Sequence, residues 1–267
     1  VALVGLLLLV RGAQAPYRRR MGGAAGFAAA GTLLHLGLLL PAYVGEHPDG
    51  PSDLTVLTLN ARHGGADAES LVRLARSSEA DLVVLVEVTP RLESRLRAAG
   101  LARALPYVGG TAGPDASGTM IFSAFPLTDS VALPLEHGAL RLSVAAPEPF
   151  ELVAVHLGQP LKDSGRRWRA DWGVLDQVLP DLDGPVVVAG DFNSTLDHRF
   201  VRRLLGEGYA DAAREANSGW QPTYPQKLPL IAIDHVLSRG GYSAVSTSTA
   251  SVSGTDHRAL VVRLAVR

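Results

Sequence analysis

Five Val-, Leu- and Ile-rich runs in this chain stop abruptly on an acid, an amide or an imidazole. LTVLTLN ends at Asn60, DLVVLVE at Glu87, FELVAVH at His156, PVVVAGDFN at Asp191 and Asn193, and LIAIDH at Asp234 and His235. A sixth element, TDHRALVVRL, reverses the order and sets Asp256 and His257 just ahead of its apolar stretch. Short, nearly unbroken apolar runs rich in β-branched residues are the mark of buried strands. The chain must therefore cover its sheets on both sides. Strands are expected at 54–59, 81–86, 119–122, 141–145, 151–155, 186–189, 231–237 and 259–266. Helices belong between several of them. Asp67 precedes an apolar face of Leu71, Leu74 and Ala75; Thr89-Pro90 opens a segment closed by Gly100; and Trp168, Trp172, Leu175 and Leu179 recur at helical spacing. Two packed sheets with helices outside fit this order, and a single doubly wound sheet is the alternative.

A lone Asp or Asn after a strand is ordinary turn chemistry. Six such ends together are not. Converging on one rim, they would gather four carboxylates, two or three imidazoles and two amides, with no thiol, since the chain has no cysteine. Carboxylates crowded together repel unless a cation joins them, and an all-oxygen set with His nearby suits Mg²⁺ or Mn²⁺; zinc would collect more His or Cys. Such a cation commonly binds phosphate oxygens, so the expected reaction is in-line attack of water on phosphorus.

Ahead of these strands the composition changes. Residues 1–10 are almost wholly apolar, and the uncharged run 22–45 is long enough to cross a bilayer as a helix, which takes about 20 residues. The first run is expected to be the cut end of a longer helix, so that 1–45 is a transmembrane region. Arg11, Arg18, Arg19 and Arg20 between the runs place that loop in the cytoplasm by the positive-inside bias, and the following domain outside the cell membrane. A signal-peptidase site at Ala13-Gln14-Ala15 is the competing reading, and it too exports the domain. His35 within the run is read as a neutral imidazole bonded to a neighbouring helix. Residues 46–52 form a Pro-, Gly- and acid-rich linker, and 53–267 is expected to be one domain. Removing the four Arg and two acids of residues 1–51 from the chain's 25 basic and 26 acidic residues leaves 21 and 24. That balance speaks against a broad nucleic-acid-binding face, which draws on Lys and Arg.

The ordered segments LTLNAR, DLVVLVEV, GTMIFSAFPL, VAVHL, VVVAGDFNST, IDHVLS and GTDHRALVV resemble the endonuclease/exonuclease/phosphatase superfamily, with its DNase I-like fold. The resemblance implies an α+β architecture, a four-layer α/β/β/α sandwich. It implies Glu87 as principal metal ligand, with Asn60 beside it and Asp256 in the metal shell. Asp191 would orient or deprotonate the attacking water, and Asn193 would donate to phosphoryl oxygens. His257, oriented by Asp234, would bond the scissile phosphate or move a proton. His156 would contact phosphate or aid the leaving group, and Arg62 would contact substrate phosphate. His235 is expected to support its strand end. Many relatives have Gln before the metal-binding Glu, where this chain has Val86. The membrane run and the TYP segment before IDH are similar to membrane-anchored bacterial members, the VanJ-like proteins, and this implies a lipid phosphate or pyrophosphate substrate such as undecaprenyl pyrophosphate. An exported nuclease and a non-catalytic lipid-binding or sensor module are the competing functions.

Overall fold

Period-two alternation decides which sheet face each side chain takes, and here it also decides which polar residues meet. A computed structural model describes residues 26–34, 36–37 and 51–267. The chain divides into two compact units, Val1–Glu46 and His47–Arg267. In the first, 26–34 and 36–37 are helical, and no helix among the described residues is long and apolar enough to cross a membrane. The expected transmembrane run 22–45 is described only in this part. His35, the apolar run 1–10, the Arg loop and most of the linker 46–52 lie outside the described residues.

The second unit runs β1 (Leu54–Asn60), α1 (Ala68–Ser77), β2 (Leu82–Val86), α2 (Pro90–Ala98), α3 (Leu101–Ala104), β3 (Tyr107–Thr111), β4 (Thr119–Ser123), β5 (Leu127–Leu133), β6 (Ala139–Val144) and β7 (Phe150–His156). It continues through α4 (Arg166–Val178), β8 (Val186–Asp191), α5 (Arg199–Gly206), β9 (Ala210–Asp211), α6 (Ala212–Glu215), β10 (Asp234–Arg239), β11 (Tyr242–Ser251) and β12 (Arg258–Val266). Two six-stranded sheets result, ordered β11-β12-β1-β2-β4-β3 and β5-β6-β7-β8-β10-β9. Each has a parallel pair near its middle, β1 with β2 and β7 with β8, among antiparallel neighbours. The single doubly wound sheet is therefore set aside.

Leu54 and Val56 of β1, Leu152 and Ala154 of β7 and Val187 and Ala189 of β8 share the layer between the sheets. The intervening Leu57 and Leu59 pack outward with Leu71 and Val72 of α1 and Leu92 and Leu96 of α2. Val153, Val155, Val186 and Val188 pack outward on the other side, with Trp168, Trp172 and Leu175 of α4 and Phe200 and Leu204 of α5. Helix, sheet, sheet and helix form the four layers. The Trp pair of α4 thus fills a helix face: Trp172 is fully buried and stacks on Phe200 with ring centroids 5.4 Å apart.

The same parity carries Asn60, His156, Asp191 and Asp234 to the inter-sheet side of their strands, at one end of the sandwich. There Asn60 pairs with Val86 and His156 with Asp191 in the two parallel ladders, and Asp234 with Asp191 in the antiparallel one. His235, one residue off that parity, lies against the Phe192 ring, its centroid 5.5 Å away. It bonds Asp211 Oδ2 at 3.2 Å and the Ser194 carbonyl at 2.9 Å. Burial disfavours the charged form of its ring, but Asp211 outweighs this and raises its pKa.

Gly190 fixes how closely β7 and β8 run at this end. Its φ is +138°, and a Cβ there would sit 2.1 Å from the Val155 carbonyl oxygen. Gly190→Ala is expected to cost more than about 1 kcal/mol of stability, read by urea unfolding, and to lower activity by displacing Asp191 relative to His156.

Candidate active site

Asp191 sits at the centre of the inter-sheet seam. Its Oδ1 accepts from the Asn193 backbone N–H at 2.8 Å, and its Oδ2 accepts from Asn60 Nδ2 at 3.0 Å. Two imidazoles flank it, His156 Nε2 and His257 Nε2, each 3.8 Å from Oδ2. The Asn60 amide also donates to Glu87 Oε1 at 2.9 Å, so one side chain ties two carboxylates together while its own oxygen accepts from Arg62 N at 2.9 Å. Glu87 Oε2 accepts from His63 N at 2.7 Å, and His156 Nε2 lies 3.6 Å from Oε1.

His257 is held from its far side by Asp234, whose Oδ2 is 2.8 Å from Nδ1. Thr255 steadies the turn, its hydroxyl accepting from His257 N and donating to the Asn60 carbonyl. Burial disfavours a charged His257 ring, yet Asp234 and then Asp191 overcome this and push its pKa up to about 10. It is an imidazolium at neutral pH, a donor through Nε2. Asp191 is pushed upward, first by burial and then by Asp234, which suits a group that must accept a proton.

The backbone is strained where the site is built. Arg62, His63, Glu87 and Asn193 all have positive φ, at 48°, 49°, 58° and 45°, a conformation costing roughly 1 kcal/mol or more for a non-glycine residue. Hydrogen bonds from Gly64 N to the Glu87 carbonyl and from Asn193 N to Asp191 hold two of these turns.

The expected residues do not all converge equally. Asn60, Glu87, His156, Asp191, Asp234 and His257 form one connected cluster. Asn193 joins through its backbone, while its Nδ2 donates to the Leu157 carbonyl at 2.8 Å. Arg62 and Asp256 pair with each other, Nε to Oδ2 at 3.7 Å, at the more exposed rim. Three participants were not anticipated. His63 bonds Glu87; Tyr224 lies over His257 with ring centroids 4.9 Å apart; and His137 stacks on His156 at 4.6 Å. Burial, and then the neighbouring His156, lower the His137 pKa. The histidine of NARH was visible one residue past Arg62, but His137 sits in the turn between β5 and β6, where no sequence pattern marks it.

The donor set fits a hard divalent cation. Asp191, Asp234 and His257 each offer an atom, and all three lie within 4.8 Å of one another. Asp234 Oδ1 is buried without a hydrogen-bond partner. His257 is taken up by Asp234, and of the two carboxylates that the Asn60 amide bridges Glu87 is the more exposed, so Glu87 is the better ligand and Asp191 is left to act on water. As placed, the Asn60 amide nitrogen rather than its oxygen faces these carboxylates.

A two-sheet sandwich whose strand ends meet in carboxylates, imidazoles and amides can gather a divalent cation and phosphate oxygens at one edge. The chain belongs to the endonuclease/exonuclease/phosphatase family, whose model matches residues 57–257. Members of this family hydrolyse phosphoester bonds and generally use a divalent metal. A UPF0294 protein of Vibrio cholerae serotype O1 is 27% identical over 228 residues, covering 80% of this chain and 78% of the relative. An endonuclease/exonuclease/phosphatase from Beutenbergia cavernae has the same fold, with a TM-score of 0.61 at 20% identity, over 81% of this chain and 72% of that one. D. rerio TDP2, solved with a single-strand DNA product, superposes with a TM-score of 0.65 at 15% identity, over 79% and 98%.

Proposed function

We propose that this protein is a Mg²⁺- or Mn²⁺-dependent phosphoesterase that cleaves a phosphate ester or pyrophosphate bond of a membrane lipid, of the undecaprenyl pyrophosphate type, at the outer face of the cell membrane. The observation that carries the chemistry is Asp191 held between two imidazoles, with its pKa raised by burial and by Asp234. Asp191 accepts the proton of the attacking water as the new P–O bond forms. His257, kept protonated by Asp234, donates Nε2–H to a phosphoryl oxygen. His156, between Asp191 and Glu87, faces the oxygen that leaves as the old P–O bond breaks. Asn193 and Arg62 at the rim hold the phosphate in line. Glu87, with the Asn60 amide beside it and Asp256 contributing from the rim, would hold a divalent cation, which would supply positive charge to the phosphoryl oxygens.

The lipid reading draws its support from the chain ahead of the domain. The uncharged run 22–45, the Arg loop before it and the near-neutral balance of the rest are those of a tethered domain similar to VanJ-like proteins. Tethering raises the effective concentration of a substrate in the same bilayer. Purified full-length chain is expected to release phosphate from undecaprenyl pyrophosphate with Mg²⁺, to stop with EDTA and to recover when Mg²⁺ is restored. Plasmid nicking without lipid turnover would assign the protein to the nucleases instead. Lipid binding without turnover under any divalent metal would make it a sensor.

A further inference from the structure

The two loops that flank the site share a composition found nowhere else in the chain. Lys162 and Lys227 are its only lysines, against 23 arginines, and each stands beside an exposed leucine. Leu161 is 96% exposed, while Leu228 and Leu230 are 65% and 55% exposed. The first loop leaves β7 directly after His156, and Lys162 acts electrostatically on His137, the ring stacked on His156. The second is pinned to the opposite side: Tyr224 covers His257, and Gln226 N donates to the Asp256 carbonyl at 2.6 Å. Along the site the order is thus lip, His156, Asp191, His257, lip.

Both lips are built rather than loose. Asp171 of α4 accepts from Gly158 N at 2.7 Å beneath the first, and a bridge between Tyr224 and Ile231 closes the second. Asp163, the acid next to Lys162, is taken up by Arg166 and Arg167 at 3.5 Å each. Lys162 makes no ion pair among the described residues. Solvent-facing leucines at a site mouth carry an unpaid hydration cost unless something covers them. Leucine with lysine, and Trp220 46% exposed nearby in sequence, is the residue mixture that settles into the headgroup region of an anionic bilayer.

We infer that the lips 159–162 and 227–231 seat on the surface of an anionic phospholipid bilayer, so that a lipid phosphate reaches Asp191 from the membrane while its hydrocarbon tail runs out between Leu161 and Leu228. This rests on the lipid reading above for its substrate. The lip contact itself has an independent readout. Trp168 and Trp172 are buried on the inner face of α4 and Trp220 is the one tryptophan with substantial exposure, and residues 1–52 contain none.

Full-length protein is reconstituted in vesicles of brominated phosphatidylcholine with phosphatidylglycerol. Quenching of Trp220 emission by about twofold is expected, and Trp220→Phe should remove the quenchable signal. A Leu161→Ser, Leu228→Ser, Leu230→Ser variant should lose the quenching at an unchanged melting temperature. Lys162→Gln with Lys227→Gln should abolish the dependence on phosphatidylglycerol. Absence of quenching in the unmodified chain, or equal quenching in the triple serine variant, overturns the inference. Quenching without turnover of undecaprenyl pyrophosphate in the same vesicles sinks the substrate assignment and leaves the lips standing.

Discussion

Asp191→Asn is expected to lower metal-dependent hydrolysis by about 10³-fold, within the range for losing a positioned general base, without unfolding the protein. The carboxylate is 2% exposed, and its cost is written in its pKa, raised by burial and by Asp234. An amide of the same shape removes that buried charge. It can still accept from Asn193 N through one oxygen, but its nitrogen then meets the Asn60 Nδ2 donor that Oδ2 now accepts from. One lost hydrogen bond of about 1 kcal/mol is set against relief of the charge repulsion. The melting temperature of Asp191→Asn should therefore stay level or rise while activity collapses. Initial rates at saturating Mg²⁺ and a thermal melt on the same sample check both halves. More than a tenth of the original rate would remove Asp191 from its assigned place.

Much of that place was readable from alternation alone. Val187, Ala189 and Asp191 share a strand face, as do Leu152, Ala154 and His156, so once the valines face the other sheet the polar residue must as well. The same count separates Asp234 from His235. Other parts have no such constraint. β11 is YSAVSTSTAS, with few large apolar side chains, and it is a strand because it borders β12 along nine register pairs. α5 is hard to read in the sequence because Phe200, Val201 and Leu204 give only two turns of apolar spacing amid three charged residues. The strand expected over 231–237 begins at Asp234 instead, because 224–231 closes on itself through the Tyr224–Ile231 bridge before the ladder with β8 starts. His137 meets His156 only because β5, β6 and β7 are neighbours in one sheet, which is a tertiary fact. The Arg62–Asp256 pair is of that kind too: each was assigned a separate partner by sequence, and the chain crossing at the rim gave them one another.

Asp234→Asn should change how the protein responds to pH more than any other single substitution at the site. In the folded state the His257 pKa is raised from 6.5 to about 10, with burial opposing and Asp234 and Asp191 prevailing. A folded pKa above the unfolded one means that the folded protein holds an extra proton between those values. The stabilisation is complete below pH 6.5 and drains away as pH rises toward 10. Asp191 works in the same sense, since a carboxyl whose pKa is raised above 3.8 makes folding progressively less favourable as pH climbs past that value. Metal-free protein in EDTA is thus expected to unfold at lower urea at pH 9 than at pH 6. Without the Asp234 carboxylate the imidazolium loses its main partner. Removing one member of a buried pair costs about 3–5 kcal/mol, and the lower end applies here because Asp191 still faces the ring at 3.8 Å. That cost should appear at pH 6 and shrink by pH 9, flattening the urea midpoint against pH. The alkaline limb of the activity profile should move to lower pH with it, because His257 then sheds its Nε2 proton sooner. A midpoint that falls between pH 6 and pH 9 as steeply in Asp234→Asn as in the unmodified protein would show that Asp234 is not what keeps His257 charged.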